Sequence, residues 1–201
     1  MSALDRFRAS LVIDREKWHD GIGYDLDAIR EATPEERAAI EALLLGAAVQ
    51  GWREVEALAV LDTPRAREAL RAAVRTGSDE VRVAVARHAP GVVDEAARAE
   101  ALVAALSGEE LTPAASQALD EAAEFHPPEV VDAVLRAAAR GGGTLAVNAA
   151  GLALFLHGEA EEPFDWAQRP FLLRFAEAED RPAAFRELCA RLGVDARAYL
   201  D

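Results

Sequence analysis

One cysteine, one lysine and one methionine occur in 201 residues, and each scarcity excludes something. A lone Cys189 cannot close an internal disulfide, so a reducing compartment is expected and the cytoplasm is the simplest one. No window approaches the roughly 18 apolar residues that a membrane span requires. The N-terminal MSALDRFRASLVIDREKW interleaves charges with its few apolar residues, where a secretory leader carries an unbroken apolar region; no leader is expected. Cations are also short: 22 Lys and Arg against 36 Asp and Glu give a net charge of −14. That surface repels phosphate backbones and anionic lipid, so nucleic acid and membrane are not expected partners. A basic protein is, although the same charge also serves solubility. The single Lys17 beside 21 arginines and 46 alanines reads as the codon usage of a GC-rich bacterial genome and not as an activity.

Motifs of chemistry are missing as well. Ser2, Ser10, Ser78, Ser107 and Ser116 lie in caps and loops, none in a G-x-S-x-G context. Gly141-Gly142-Gly143 lacks the preceding strand and following G-K-[ST] of a phosphate loop and reads as a flexible turn. Asp14, Asp20, Asp25 and Asp27 do not have calcium-loop spacing. Cys189 falls on an apolar stripe, the usual place of a buried free thiol. No catalytic, cofactor-binding or metal-ligating residue is therefore assigned.

What the chain does have is helix punctuation. Thr33-Pro34-Glu35-Glu36 combines an N-cap, a first-turn proline and a capping-box glutamate, with Ile40, Leu43, Leu44 and Ala47 following at helical spacing. Gly51 separates this helix from one carrying Trp52, Val55, Leu58 and Leu61. Thr63-Pro64 opens a third with Ala66, Leu70 and Val74, and Thr76-Gly77-Ser78 divides it from a helix ending at His88. Val92, Ala96, Ala99, Val103 and Leu106 mark another stripe. Thr112-Pro113 begins a helix ending at His126, Pro127-Pro128 one with Val131, Val134, Leu135 and Ala138, and a Thr144 cap one ending at His157. Period-two alternation never persists beyond four or five residues, so no strand is expected.

Three of these helices look alike. EVRVAVARH, QALDEAAEFH and NAAGLALFLH close on His88, His126 and His157, with Ala84, Ala122 and Ala153 at minus four. A small residue there lets neighbouring helices approach to the short end of the roughly 8–10 Å interaxial range. Such recurrence predicts an all-α fold, a right-handed α-solenoid of about four antiparallel helix pairs. One domain over 1–201 is expected: an N-terminal cap at 1–33, repeats at 34–157 and an aromatic-rich C-terminal cap at 158–201. The caps are atypical. Trp18 to Asp25 reads as a turn with two aromatics, and Phe164, Trp166, Phe171, Phe175 and Phe185 crowd the other end. Asp165 with Gln168 suits a short capped turn, Pro170 begins a helix, and the last helix runs from about Pro182 to Leu192 with Gly193 after it.

These pairs resemble HEAT (armadillo-type) repeats over residues 34–157. The flanks REKWHDGIGYDLDAI and EEPFDWAQRPFLLRF resemble the ends of small, uncharacterised bacterial HEAT-repeat proteins. The resemblance implies a binding scaffold and brings no catalytic residue set. Di-iron hydroxylases built on HEAT repeats carry His-Glu pairs, whereas here Ala89, Pro127 and Gly158 follow the histidines; only His157 with Glu159 approximates one. HEAT-like DNA glycosylases need a basic face, which the net charge opposes. Equivalent histidines on stacked repeats stand about 10 Å apart, too far to share an ion whose nitrogens lie at roughly 2.0–2.1 Å. Their expected role is to face the negative end of a helix dipole.

The expected function is non-catalytic protein binding through the concave inner-helix surface, one version being an immunity-type inhibitor that clamps a basic toxin. Candidate partner-binding residues are Arg82 and Arg87 on one inner helix, Asp120, Glu121 and Glu124 on the next, and the loop acids Glu159, Glu161 and Glu162 with Asp165. Beside those acids, Phe164 and Trp166 are expected to pack inward. The alternatives are an enzyme on the same scaffold and a structural subunit dimerising through the aromatic end.

Overall fold

The computed structural model describes residues 1–200, the side chain of Trp18 excepted. Among the described residues there are fourteen α-helices and no strand, so the fold is all-α. The helices are α1 Ala3–Ser10, α2 Arg15–His19, α3 Leu26–Glu31, α4 Pro34–Leu45, α5 Trp52–Leu61, α6 Pro64–Thr76, α7 Asp79–His88, α8 Glu95–Leu106, α9 Pro113–Glu124, α10 Pro128–Arg140, α11 Gly143–Leu156, α12 Arg169–Leu172, α13 Arg181–Leu192 and α14 Arg197–Leu200. The chain forms two compact units, Met1–Asp94 and a second beginning at Glu95.

Helix starts follow the caps. Thr33, Thr63, Ser78 and Thr112 each accept a hydrogen bond from the backbone N–H three residues on, and the Glu36 carboxylate in turn accepts one from the Thr33 N–H. In the first unit α1 packs on α3 and α4, α4 on α6, and α5 on α7. The buried side chains of these helices, among them Phe7, Ile29, Ile40, Leu58 and Leu70, form one core. Polar ties fix the N-terminal segment to it: Arg6 pairs with Asp25 at 3.1 Å, and the Tyr24 hydroxyl donates to Glu54 at 2.5 Å. In the second unit α8 packs on α9 and α10, α9 on α11, and α10 against α11, α13 and α14.

One junction is built twice. Gly77 and Gly141 each donate to the carbonyl four residues back, at 2.7 and 2.9 Å, and turn α6 into α7 and α10 into α11. A Cβ on either would stand 2.5 Å from that same carbonyl and within about 3 Å of the side chain at Val81 or Leu145. Gly142 is confined too, its N–H bonded to the Glu109 carbonyl at 2.5 Å, so the expected flexible turn is a tightly packed one.

Several expectations are corrected. His126 is not the end of a helix: α9 stops at Glu124, Phe125 is extended, and His126 is exposed two residues beyond. Proline disfavours the α region for the residue before it, and Pro127 follows His126. Counted from their N-caps, His88 is tenth, His126 fourteenth and His157 fifteenth, so they do not share a position along their helices. The alanines at minus four are nonetheless all buried. α4 ends at Leu45, with Gly46 donating to the Ala42 carbonyl, which leaves Ala47 outside and Leu43 exposed off the Ile40–Leu44 row. Val92 belongs to a separate 3₁₀ turn, Pro90–Val92, and Ala96 is exposed, because Pro90 and Gly91 delay α8 until Glu95. Gly142, not Thr144, caps α11. Beyond Gly193, which has a φ of 70°, α14 adds a helix that sequence reading missed, seating Tyr199 edge-on to Phe185 at 5.7 Å.

Candidate functional site

Helix α11 is apolar apart from Thr144 and Asn148, with Leu145 through Leu154 buried except Asn148. One side takes α10, another α9, and the C-terminal segments of the second unit cover a third. Gly151 permits that third contact. The chain at Pro163 crosses so closely that a Cβ on Gly151 would stand 2.6 Å from the Pro163 carbonyl, with Leu172 and Phe164 next nearest.

Beside this crossing lies a groove of about 420 Å³, lined by Gly143, Thr144, Val147, Asn148, Phe164, Leu173 and Ala176. Its walls are mainly apolar, with polar groups from Thr144 and from Asn148, whose amide donates to the Thr144 carbonyl at 2.8 Å. Leu173 is 48% exposed. Trp166 is 68% exposed, held in a 3₁₀ turn capped by Asp165; Arg169 stacks over its ring at 4.9 Å and Phe164 meets its edge at 6.5 Å. The inward packing expected of Phe164 and Trp166 is met only in part by Phe164, which is half-buried, and not by Trp166, which is outside; Phe175 and Phe185 are the buried aromatics of this end. The reason is local: Phe164 and Leu172 occupy the contact with α11 at Gly151, and the capped turn directs the next residues away.

The predicted contact residues divide. Glu161 and Glu162 are exposed, and among the described residues neither forms a hydrogen bond or ion pair. Glu159 lies 4.0 Å from Arg191. Asp120 and Glu124 are exposed on α9. Glu121 is not a surface group: it is 6% exposed, accepts from Arg98 Nε at 3.0 Å and from its Nη2, and Arg98 stacks on Phe125 at 4.0 Å. Its spacing puts it on the α9 face that meets α8, where a carboxylate must be paired. Arg82 and Arg87 sit on α7 in the other unit, Arg87 exposed and Arg82 half-buried at 3.8 Å from Asp79.

His157 and His88 have ordinary partners. His157 Nδ1–H donates to the Ala153 carbonyl at 2.8 Å, a C-terminal cap favoured by the helix dipole. His88 stands 3.9 Å from Glu56 and lines a cleft of about 350 Å³ with Asp62 and Arg67, themselves paired at 2.6 Å. The Asp62 carboxyl is held below its usual range by hydrogen bonds from Arg67. Burial pushes the Cys189 thiol up to about 11, which makes it a poor nucleophile. Among the described residues no group of three His, Cys, Asp or Glu side chains is placed to hold a metal ion, and no helix is long and apolar enough to cross a membrane. No known protein family, curated protein or solved structure matches this chain.

Proposed function

We propose that the chain is a non-catalytic protein-binding scaffold, a right-handed α-solenoid of about four HEAT-like helix pairs with atypical caps, whose partner is a basic protein. The packing of alternate helices carries this reading: α4 on α6 and α5 on α7 in one unit, α8 on α10 and α9 on α11 in the other. Helix hairpins laid side by side generate two layers, with every second helix in the same layer, and such arrays present extended binding faces. The charge of −14 sets the sign of the partner, since complementary charge accelerates encounter and suppresses wrong partners. One specific form is an immunity-type inhibitor that clamps a basic toxin.

Capture by the immobilised chain at low and at high salt tests the reading. The expected result is retention of proteins with isoelectric points above neutrality, released as salt rises. Recovery of acidic or neutral proteins alone ends it.

A further inference from the structure

We propose that the groove between α11 and the C-terminal segments receives an apolar side chain from a basic segment of the partner, with Leu173 and Trp166 as its contact residues and the loop acids as its electrostatic guide. This deepens the scaffold reading and rests on it.

Four observations converge. First, the floor is fixed. Val147 is 8% exposed on a helix packed on three sides, and the wall at Phe164 is set by the contact at Gly151. A preformed cavity loses little conformational freedom when filled, and about 420 Å³ lies in the range of pockets that hold ligands or side-chain anchors. Second, exposed large apolar side chains are scarce in this chain, and two of them, Leu173 and Trp166, belong to these C-terminal segments. Tryptophan is among the side chains enriched in interface hot spots, and Trp166 meets Phe164, a lining residue of the groove, at 6.5 Å between ring centres.

Third, the surroundings are acidic. Glu161 and Glu162 stand three and two residues before Phe164, exposed, and Arg174 is paired with Glu187 at 2.6 Å, so these carboxylates outnumber Arg169, which keeps its charge on the Trp166 ring. Fourth, a second copy is a poor occupant. An isologous contact places each patch against itself, which would bring two sets of these carboxylates together in a chain already at −14. A cationic segment with an aliphatic or aromatic anchor satisfies both the cavity and the charge.

The probe is a synthetic amphipathic peptide of leucine and lysine, about 18 residues or five helical turns. Its controls are a leucine–glutamate twin and a serine–lysine twin. Binding is followed by the methyl resonances of Val147 and Leu173 and by the indole N–H resonance of Trp166. The leucine–lysine peptide should shift those methyls, with affinity falling about tenfold in Leu173→Asp and in Trp166→Ala, as for hot-spot truncations. In Glu161→Gln/Glu162→Gln it should fall several-fold and lose much of its salt dependence. All these positions are exposed, so far-UV circular dichroism should be unchanged. Undiminished binding to Leu173→Asp, shifts confined to other methyls, or equal binding of the leucine–glutamate twin overturns the groove assignment while leaving the scaffold reading in place. Self-association of the wild type that Leu173→Asp abolishes overturns it too, by making a second copy the occupant. If neither the peptide nor any captured basic protein binds, the scaffold reading falls as well.

Discussion

Arg98 and Glu121 make a pair whose removal distinguishes structural acids from contact acids. The Glu121 side chain is 7% exposed and that of Arg98 22%, joined through two guanidinium nitrogens, with the guanidinium carbon 4.0 Å from the centre of the Phe125 ring. Replacing Arg98 by methionine keeps most of the stem packing and leaves a buried carboxylate without a counter-charge. Breaking a fully buried pair costs about 3–5 kcal/mol; partial access of water to Arg98 reduces that to about 2–4, including the lost ring contact of about 0.5–1. For a chain of this length each kcal/mol moves the midpoint about 2–4 °C, so Arg98→Met should lower Tm by about 5–15 °C in a thermal melt followed by circular dichroism. Glu121→Gln keeps the shape and removes the buried negative charge, at a smaller cost of about 1 kcal/mol. The double variant Arg98→Met/Glu121→Leu replaces the pair by apolar groups of similar volume and should return to within about 1 kcal/mol of the wild type. A double variant as unstable as Arg98→Met alone refutes the burial argument, and so does any single replacement that leaves Tm unchanged. Neither Glu121 variant should alter partner affinity, in contrast to Glu161 and Glu162.

Gly151→Ala forces a Cβ against the Pro163 carbonyl and should cost about 1–3 kcal/mol while shifting the Trp166 indole N–H resonance; Gly91→Ala, with nothing within 4 Å, should be neutral or slightly stabilising. Both tyrosines titrate above the usual phenol, burial being the larger cause in each, with Tyr24 further raised by donating to Glu54 and Tyr199 by Asp132. An ultraviolet titration of the native chain at pH 10 should therefore show far less tyrosinate than the denatured chain, which reaches about half ionisation there. Glu36 has its carboxyl lowered by backbone N–H bonds from Thr33 and Leu4. A lowered folded value stabilises above the unfolded one and is lost as pH falls through the folded one, so acid melts should steepen in the wild type and flatten in Glu36→Gln. The Cys189 thiol, buried and raised to about 11, should react with a thiol reagent at mildly alkaline pH only as fast as the second unit opens.

The helical character and most starts were legible because caps act locally. A Thr-Pro or Ser at the right offset fixes a helix start wherever the helix then packs, and Thr33, Thr63, Ser78 and Thr112 do so. Ends were less legible. Three C-terminal histidines suggested a common register, yet the register that recurs in space belongs to the glycine junctions at Gly77 and Gly141, sixty-four residues apart. Alanine richness explains the misreading: with so many alanines, helical spacing matches at several offsets, whereas a glycine pressed against a carbonyl matches at only one.

The groove and the buried pair illustrate a limit of another kind. Glu121, Glu161 and Glu162 are indistinguishable as letters in acidic stretches, and only the packing of α8 on α9 withdraws the first from solvent. Sequence reading groups Glu121 with Asp120 and Glu124 as contact acids, and only those two are exposed; Arg98, twenty-three residues earlier, is what makes the burial of Glu121 tolerable. Gly151 likewise sits in an otherwise apolar helix, where glycine costs about 1 kcal/mol relative to alanine. Its benefit appears only when Pro163 crosses over it. A glycine kept inside an apolar helix is therefore a sequence signal for a crossing segment, and here that segment forms the wall of the groove. If the groove binds a partner, Gly151→Ala should weaken the leucine–lysine peptide as much as Leu173→Asp does, although Gly151 itself is buried beneath the segment and touches no ligand. Equal affinity of Gly151→Ala and wild type, with the Tm loss present, would separate the fold of α11 from the groove and contradict that link.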